Sequence, residues 1–108
     1  SIHAMAHITG GGITENLNRA LPADLDAVVY RGGADGPAWD IPPVITYMVN
    51  AAGLTPDEAY KTFNMGVGMS VICASDDVDD VRRKLADEGL QTFVMGKIVA
   101  GSGCVVYE

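Results

Sequence analysis

The segment His7-Ile8-Thr9-Gly10-Gly11-Gly12-Ile13-Thr14-Glu15-Asn16 holds the residue types and spacing in this chain that are best suited to chemistry. Three consecutive glycines let the backbone turn tightly and leave no side chain between its N–H groups and a ligand. Apolar positions Ile13, Leu17, Ala20 and Leu21 then recur at helical spacing until Pro22. A helix that starts just after the glycines offers unpaired N–H donors and the positive end of its dipole, which together make an anion cradle. The pattern is a candidate phosphate site, with Thr9, Gly10, Gly11 and Gly12 as its loop. It is neither the G-x-G-x-x-G dinucleotide fingerprint nor a Walker A loop, which requires Gly-Lys-Ser/Thr. A flexible turn ahead of a helix is written with the same letters, so spacing alone leaves both readings open.

Asn16 and Arg19 stand three apart and share a face of that helix. Arg19 can reach an anion at the helix start or pair with Glu15 one turn back. His3 and His7 are four apart, which suits a metal on a helix, and a strand also places them on one face. No third ligand of suitable type lies nearby, and a catalytic zinc site takes three protein ligands, so no metal is expected. Asp76, Asp77, Asp79 and Asp80 form the densest acidic cluster. They sit where a helix start favours negative charge, and Arg82, Arg83 and Lys84 follow, which reads as a capped, solvated helix.

These residues need elements to hold them. Ile2 to Ile8 is apolar apart from its histidines, and Ala27 to Tyr30 leans towards strand. Arg31 to Asp40, with three glycines and a proline, reads as loop. Pro42-Pro43 opens a helix with Val44, Ile45, Met48, Val49 and Ala52 as its apolar stripe and Gly53 as its end. Thr55-Pro56-Asp57-Glu58 starts a short helix, Thr55 being the cap and Glu58 its reciprocal partner. Met65 to Ala74 alternates as a strand, with Met65, Val67, Met69, Val71 and Cys73 on one face. Asp76-Asp77 caps a helix buried through Val78, Val81 and Leu85 and ended by Gly89. Thr92 to Ala100 and Cys104 to Tyr107 read as a hairpin around Gly101-Ser102-Gly103. The expected architecture is α+β: a layered sandwich of helices on a mixed, largely antiparallel sheet.

The chain has 108 residues, enough for one domain over 1–108 and too few for two cores. It is 48% hydrophobic and 19% charged, which suits a packed globule. A formal net charge of −7, from 14 acidic and 7 basic residues, argues against nucleic acid or an anionic membrane as partner. No run of about 18 apolar residues exists, and the N-terminus lacks a signal-peptide pattern. Cys73 and Cys104 have no C-x-x-C partner, so a reduced, cytoplasmic protein is the simplest expectation, one disulfide remaining compatible. The chain begins at Ser1 and is patterned by Ile2, and so reads as a piece of something longer, expected to leave an unpaired sheet edge or an uncovered apolar face.

Three segments, in order, carry a resemblance. His7-Ile-Thr-Gly-Gly-Gly-Ile-Thr-Glu-Asn-Leu-Asn-Arg19-Ala-Leu-Pro22, then Trp39 with Pro43, then Thr62-Phe-Asn-Met-Gly-Val-Gly-Met69, together with Gly96-Lys-Ile-Val and the final Val105-Val-Tyr-Glu108, resemble the C-terminal domain of phosphoribosylformylglycinamidine cyclo-ligases. This family is also called the aminoimidazole ribonucleotide synthetases, and its C-terminal domain is partly ferredoxin-like. The resemblance runs over essentially the whole chain. It implies a step of purine biosynthesis in which ATP activates the formyl amide oxygen of formylglycinamidine ribonucleotide. The amidine nitrogen then closes the imidazole ring, giving 5-aminoimidazole ribonucleotide, ADP and phosphate.

The resemblance further implies a two-domain, homodimeric, Mg2+-dependent cytoplasmic enzyme. An N-terminal domain outside this chain would hold most ATP and metal contacts, so no cofactor is expected on these residues and the chain alone is expected to be inactive. On the matched positions, Thr9, Gly10, Gly11 and Gly12 would hold a phosphate, the ribonucleotide 5′-phosphate in the first place. Asn16 and Arg19 would be polar support and His7 a wall of the cleft, the one weak catalytic candidate. Gly66 and Gly68 would permit close packing beside the loop. Selenophosphate synthetase and thiamine-phosphate kinase share the two-domain plan. A free-standing phosphate-binding or regulatory module, or a structural dimerisation domain, are the alternatives.

Overall fold

The computed structural model describes residues 2–32 and 38–108; the expected loop at Arg31 to Asp40 therefore lies partly outside the described residues. In chain order the elements are β1 (Ile2–His7), α1 (Gly12–Asn18), β2 (Leu25–Val29), α2 (Pro43–Ala52), α3 (Pro56–Thr62), β3 (Met69–Cys73), a 3-10 turn (Ser75–Asp77), α4 (Val78–Asp87), β4 (Gly96–Ala100) and β5 (Val105–Tyr107). β1 and β3 pair antiparallel as one sheet; β4, β2 and β5 form a second sheet in that order. β2 runs antiparallel to β4 and parallel to β5, so the α+β sandwich with mixed, largely antiparallel sheets is the observed class.

Local chemistry explains the start of α3 and the end of α2. Thr55 Oγ1 accepts from the Glu58 N–H at 3.2 Å while Glu58 Oε1 accepts from the Thr55 N–H at 3.1 Å, a reciprocal cap that starts α3. Gly53 closes α2 in the left-handed conformation, its N–H and that of Leu54 bonding back to the Asn50 and Val49 carbonyls. The core gathers Ile13 and Leu17 of α1, Ala27 and Val29 of β2, Ala59 and Tyr60 of α3, and Trp39, Ile45, Met65 and Val67. α4 buries none of its residues, so Val78, Val81 and Leu85 make a half-exposed stripe rather than a buried one. Its entry also differs from expectation: Asp77 makes no side-chain cap bond, and the 3-10 turn leads into the helix instead.

Four expectations are corrected. Ile2–His7, apolar but without a strand pattern of its own, is a full strand. α1 ends at Asn18, with Arg19 and Ala20 in a turn, not at Leu21. The strand expected from Met65 begins only at Met69, because Met65 (φ 56°) and Gly66 (φ 92°) form a turn held by the Asn64 side chain on the Gly66 N–H. The turn buries Met65 and Val67 and then reverses the facing: Ser70 is 4% exposed and Met69 50% exposed.

The fourth concerns the end of the chain. β4 and β5 are not a hairpin, because β2 lies between them. Asp26 supplies the reason. Its Oδ1 accepts from the Ser102 N–H at 2.8 Å and the Cys104 N–H at 2.9 Å, and the Asp24 carbonyl accepts from the Gly101 N–H. The 101–104 segment is thereby wrapped across the start of β2. A Cβ at Gly101 would fall 2.0 Å from the Asp26 carboxyl carbon, so the crossover needs glycine at its first position.

The Cys104 and Ser102 N–H groups hold the Asp26 carboxyl below the ordinary aspartate range. The stabilisation is therefore present at neutral pH, fully developed above the ordinary value of about 3.9, and lost as pH falls through the lower native value. We expect Ser102 and Cys104 amide protection from hydrogen exchange to persist below the ordinary aspartate value of about 3.9 and to collapse only at lower pH, and to be absent in Asp26→Ala at every pH. Protection unchanged in Asp26→Ala refutes the carboxylate as the crossover's anchor.

Candidate functional site

β1 delivers the chain to the glycine loop, and the Ile8 N–H donates to the Gly68 carbonyl at 3.0 Å, fixing the strand's exit against the 64–68 turn. Thr9 to Gly12 is then a tight turn closed by the Gly12 N–H on the Thr9 carbonyl. Asn16, 7% exposed, organises it from one helical turn away. Its Nδ2 donates to the carbonyls of Thr9, Gly10 and Gly12, at 2.8 Å for Gly12, while its Oδ1 accepts from Thr9 Oγ1. The amide draws three carbonyls towards α1. Among the described residues the N–H groups of Gly10, Gly11 and Ile13 find no backbone acceptor.

The three glycines are there for different reasons. A Cβ at Gly10 would meet nothing within 4 Å. Gly11, at φ 96°, is the residue before α1, and a Cβ there would lie 2.3 Å from Glu15 Oε2. Gly12, at φ 67°, is pressed against the end of α3: its Cβ would lie 2.2 Å from the Tyr60 carbonyl oxygen and 2.7 Å from that of Phe63. Gly12 thus lets α1 and α3 approach backbone to backbone. Gly66 lies against the Pro42 ring, whereas Gly68 faces open space, so only the first of that pair packs closely.

Around this loop the structure separates residues that the sequence placed together. Asn16 is buried and engaged with the loop backbone; Arg19 is exposed at the far end of α1 and makes no ion pair with Glu15. Seven residues of helix put Arg19 about 10 Å along the axis from Gly12. Glu15 instead folds its carboxylate back over Gly11. His7 is exposed on the outer face of β1, opposite Met69. His3 sits at a bulge in β1 and lines a cleft with Ala4, Leu21 and Ile72, so the bulge breaks the shared facing of the two histidines. Among the described residues no three His, Cys, Asp or Glu side chains come together. Asp80 pairs with Arg83 and Lys84 on the exposed face of α4.

A polar-aromatic cluster beside the loop had no signal in the sequence. Thr14 Oγ1 lies 2.7 Å from the Tyr107 hydroxyl and donates to the Tyr60 carbonyl. The Arg31 guanidinium lies 4.6 Å from the Tyr107 ring centre and 5.4 Å from that of Tyr60, and bonds Asp57 at 2.7 Å. Burial raises both tyrosine hydroxyls above their ordinary range, and the Arg31 hydrogen bond holds the Asp57 carboxyl low. The cluster ties β2, α3, β5 and α1 together behind the loop, with its one cation already paired. Two surface clefts, of about 460 and 430 Å3, are lined by residues outside the loop.

An antiparallel-rich α+β sandwich carrying a glycine turn on a short helix is the class these features define. The family model described as "AIR synthase related protein, C-terminal domain" matches residues 1–108, and the chain belongs to that family. It is 44% identical over 103 residues to the phosphoribosylformylglycinamidine cyclo-ligase of Methylobacillus flagellatus, covering 94% of this chain and 28% of that protein. It is 39% identical over 107 residues to the protein of the same name from Brevibacillus brevis, covering 99% of this chain and 30% of that one. A bifunctional purine biosynthetic protein purD of Dictyostelium discoideum is 40% identical over 98 residues, 91% of this chain and 11% of its own length. The chain therefore spans less than a third of each relative.

The glycine geometry sets an order of tolerance. Gly10→Ala is expected to be neutral or stabilising by about 0.4–1 kcal/mol. Gly11→Ala should cost about 1–2 kcal/mol through its left-handed backbone, since the flexible Glu15 carboxylate can move aside. Gly12→Ala should cost about 3 kcal/mol or more, because backbone carbonyls cannot. Denaturant unfolding of the three variants checks the order; a Gly12→Ala protein as stable as Gly10→Ala contradicts the α1–α3 contact.

Proposed function

We propose that this chain is the C-terminal domain of an ATP-dependent cyclo-ligase that closes the imidazole ring of 5-aminoimidazole ribonucleotide, and that the Thr9–Gly12 loop holds the 5′-phosphate of its ribonucleotide substrate. One observation carries the assignment: Asn16 fixes three loop carbonyls inward, leaving loop N–H groups without a backbone acceptor at the start of a helix. That arrangement suits an anion. Identity of 39–44% over nearly the whole chain to proteins named as cyclo-ligases supports the reaction. Asn16 is then a positioning residue for the phosphate, Thr9 and the glycines its contacts, and Arg19 a peripheral cation.

Among the described residues no three His, Cys, Asp or Glu side chains come together, and ATP and Mg2+ are assigned, on this reading, to polypeptide outside the 108 residues. Ring closure, homodimerisation and a cytoplasmic setting are proposed with the full-length enzyme. The purified 108-residue chain should give no product from ATP and the amidine ribonucleotide.

Glu15 bears on affinity. Its carboxylate lies over Gly11, where it repels an incoming phosphate until it turns away. Phosphate binding by the isolated chain is therefore expected to be weak, with Glu15→Gln binding more tightly in a 15N-amide titration of Gly10 and Gly11. In the full-length enzyme Gly10→Val, at a position with open space, should raise KM for the ribonucleotide about tenfold or more while leaving KM for ATP within about twofold. Equal rises in both KM values, or a rise for ATP alone, assign the loop to the wrong phosphate.

A further inference from the structure

The two-stranded sheet of β1 and β3 has two unlike faces. Ala6 and Ser70, opposite one another, are 5% and 4% exposed and pack inward, and Ile8 continues that side. The pleat sends Met5 and His7 of β1, and Met69, Val71 and Cys73 of β3, to the outer face. Met5 is 54% exposed and Met69 50%; His7 is exposed too, while Val71 and Cys73 are half-buried. The solvated face of an antiparallel sheet ordinarily carries polar side chains. This one carries two thioethers beside an imidazole.

The register brings these three together. His7 stands directly opposite Met69, which sets their Cβ atoms about 4.5–5.5 Å apart. Met5 pairs with Val71 and is therefore the diagonal neighbour of Met69, about 7–8 Å away. It is also two residues before His7 on the same face of β1, at about 6.5–7 Å. Methionine has three rotatable bonds, and with both side chains half exposed their sulfurs can turn onto the His7 ring over one point of the sheet. His3, displaced by the bulge in β1, takes no part.

The donor set decides the cation. Thioethers select Cu(I), imidazole suits copper, and the carboxylates that suit Mg2+, Ca2+ or Mn2+ are missing from both strands. Zinc is a poor occupant, because its sites are built from Cys, His, Asp and Glu, and among the described residues no three of these come together. We propose that Met5, His7 and Met69 form a binding site for a soft monovalent cation, Cu(I), on the outer face of the β1–β3 sheet. His7 supplies a ring nitrogen and the methionines two sulfurs. Ordering two exposed methionine arms costs side-chain entropy, so the cation is held reversibly.

Ag(I) is the redox-silent stand-in for a test. Thiols also bind it, and Cys73 lies diagonal to Met5 on the other side of Val71, so Cys73→Ser/Cys104→Ser protein is used; neither side chain is buried. Methionine methyls labelled with 13C and histidine rings labelled with 15N are followed as silver nitrate is added without chloride. We expect the Met5 and Met69 methyls and the His7 ring nitrogens to shift together and saturate at one Ag(I) per chain. Met48, 38% exposed on α2, should stay fixed, and the buried Met65 methyl reports that each variant is folded. His7→Asn and Met69→Leu should each weaken binding about tenfold or more. Cu(I) added without oxygen should shift the same signals, and Zn2+ should leave both methyls in place. Met48 shifting alongside Met5 and Met69, undiminished affinity in either folded variant, or methyl shifts with Zn2+ overturns the site.

Discussion

The Asn16 side chain is the contact on which the candidate site depends. A buried asparagine in a short helix is unfavourable unless its amide is satisfied, and here both amide atoms are engaged by the turn that precedes the helix. Three carbonyls pulled to one side determine which way the peptide planes of the turn face. The loop's N–H groups are directed by this constraint rather than by the glycines, which only permit it. Removing the amide would leave carbonyls without a donor and the turn without a preferred orientation, a change in geometry before it is a change in stability.

The second constraint is Gly12. With its Cα set against the Tyr60 and Phe63 carbonyls, the start of α1 is fixed relative to the end of α3. Thr14 extends the contact by bonding the Tyr60 carbonyl and the Tyr107 hydroxyl, and Arg31 closes the rear of the cluster over both tyrosine rings. Loop and aromatic cluster are one mechanical unit: α3 and β5 hold α1, and α1 holds the turn through Asn16. A turn on so short a helix stays in place only because its neighbours supply the rigidity that seven residues cannot.

What the sequence disclosed and what it hid divide along the range of the interactions. Thr55 with Glu58, Gly53 and the helix-breaking prolines act within a few residues, and the elements they bound were legible. Met65-Val67-Met69 misled because a turn that buries alternate side chains prints the same letters as a strand; the difference lies in a left-handed Met65 and an Asn64 side-chain bond. The β4–β5 crossover was hidden for a stronger reason. Gly101-Ser102-Gly103 is a good hairpin signal locally, and what overrides it is Asp26, more than seventy residues earlier. At the candidate site the loop was legible as a loop, while the separation of Asn16 from Arg19 was not, since the shared helical face does not tell that Asn16 is buried against the loop while Arg19 is exposed at the far end of α1.

The anion site proposed at this turn is less at odds with a net charge of −7 than the total suggests. At physiological ionic strength a field from carboxylates beyond about 8–10 Å is largely screened, so the charges that matter to a phosphate are those within contact range. Asp80 is paired with cations on α4, Asp57 is held by Arg31, and Asp26 is committed to the β2 crossover. Glu15 does reach the turn, and it sits on a flexible arm over Gly11. On the proposed reading, an open loop with one movable carboxylate above it would bind phosphate poorly by itself and well only when a further surface displaces the carboxylate and excludes water. A domain built this way is suited to be one wall of a cleft, its selectivity completed by whatever forms the other.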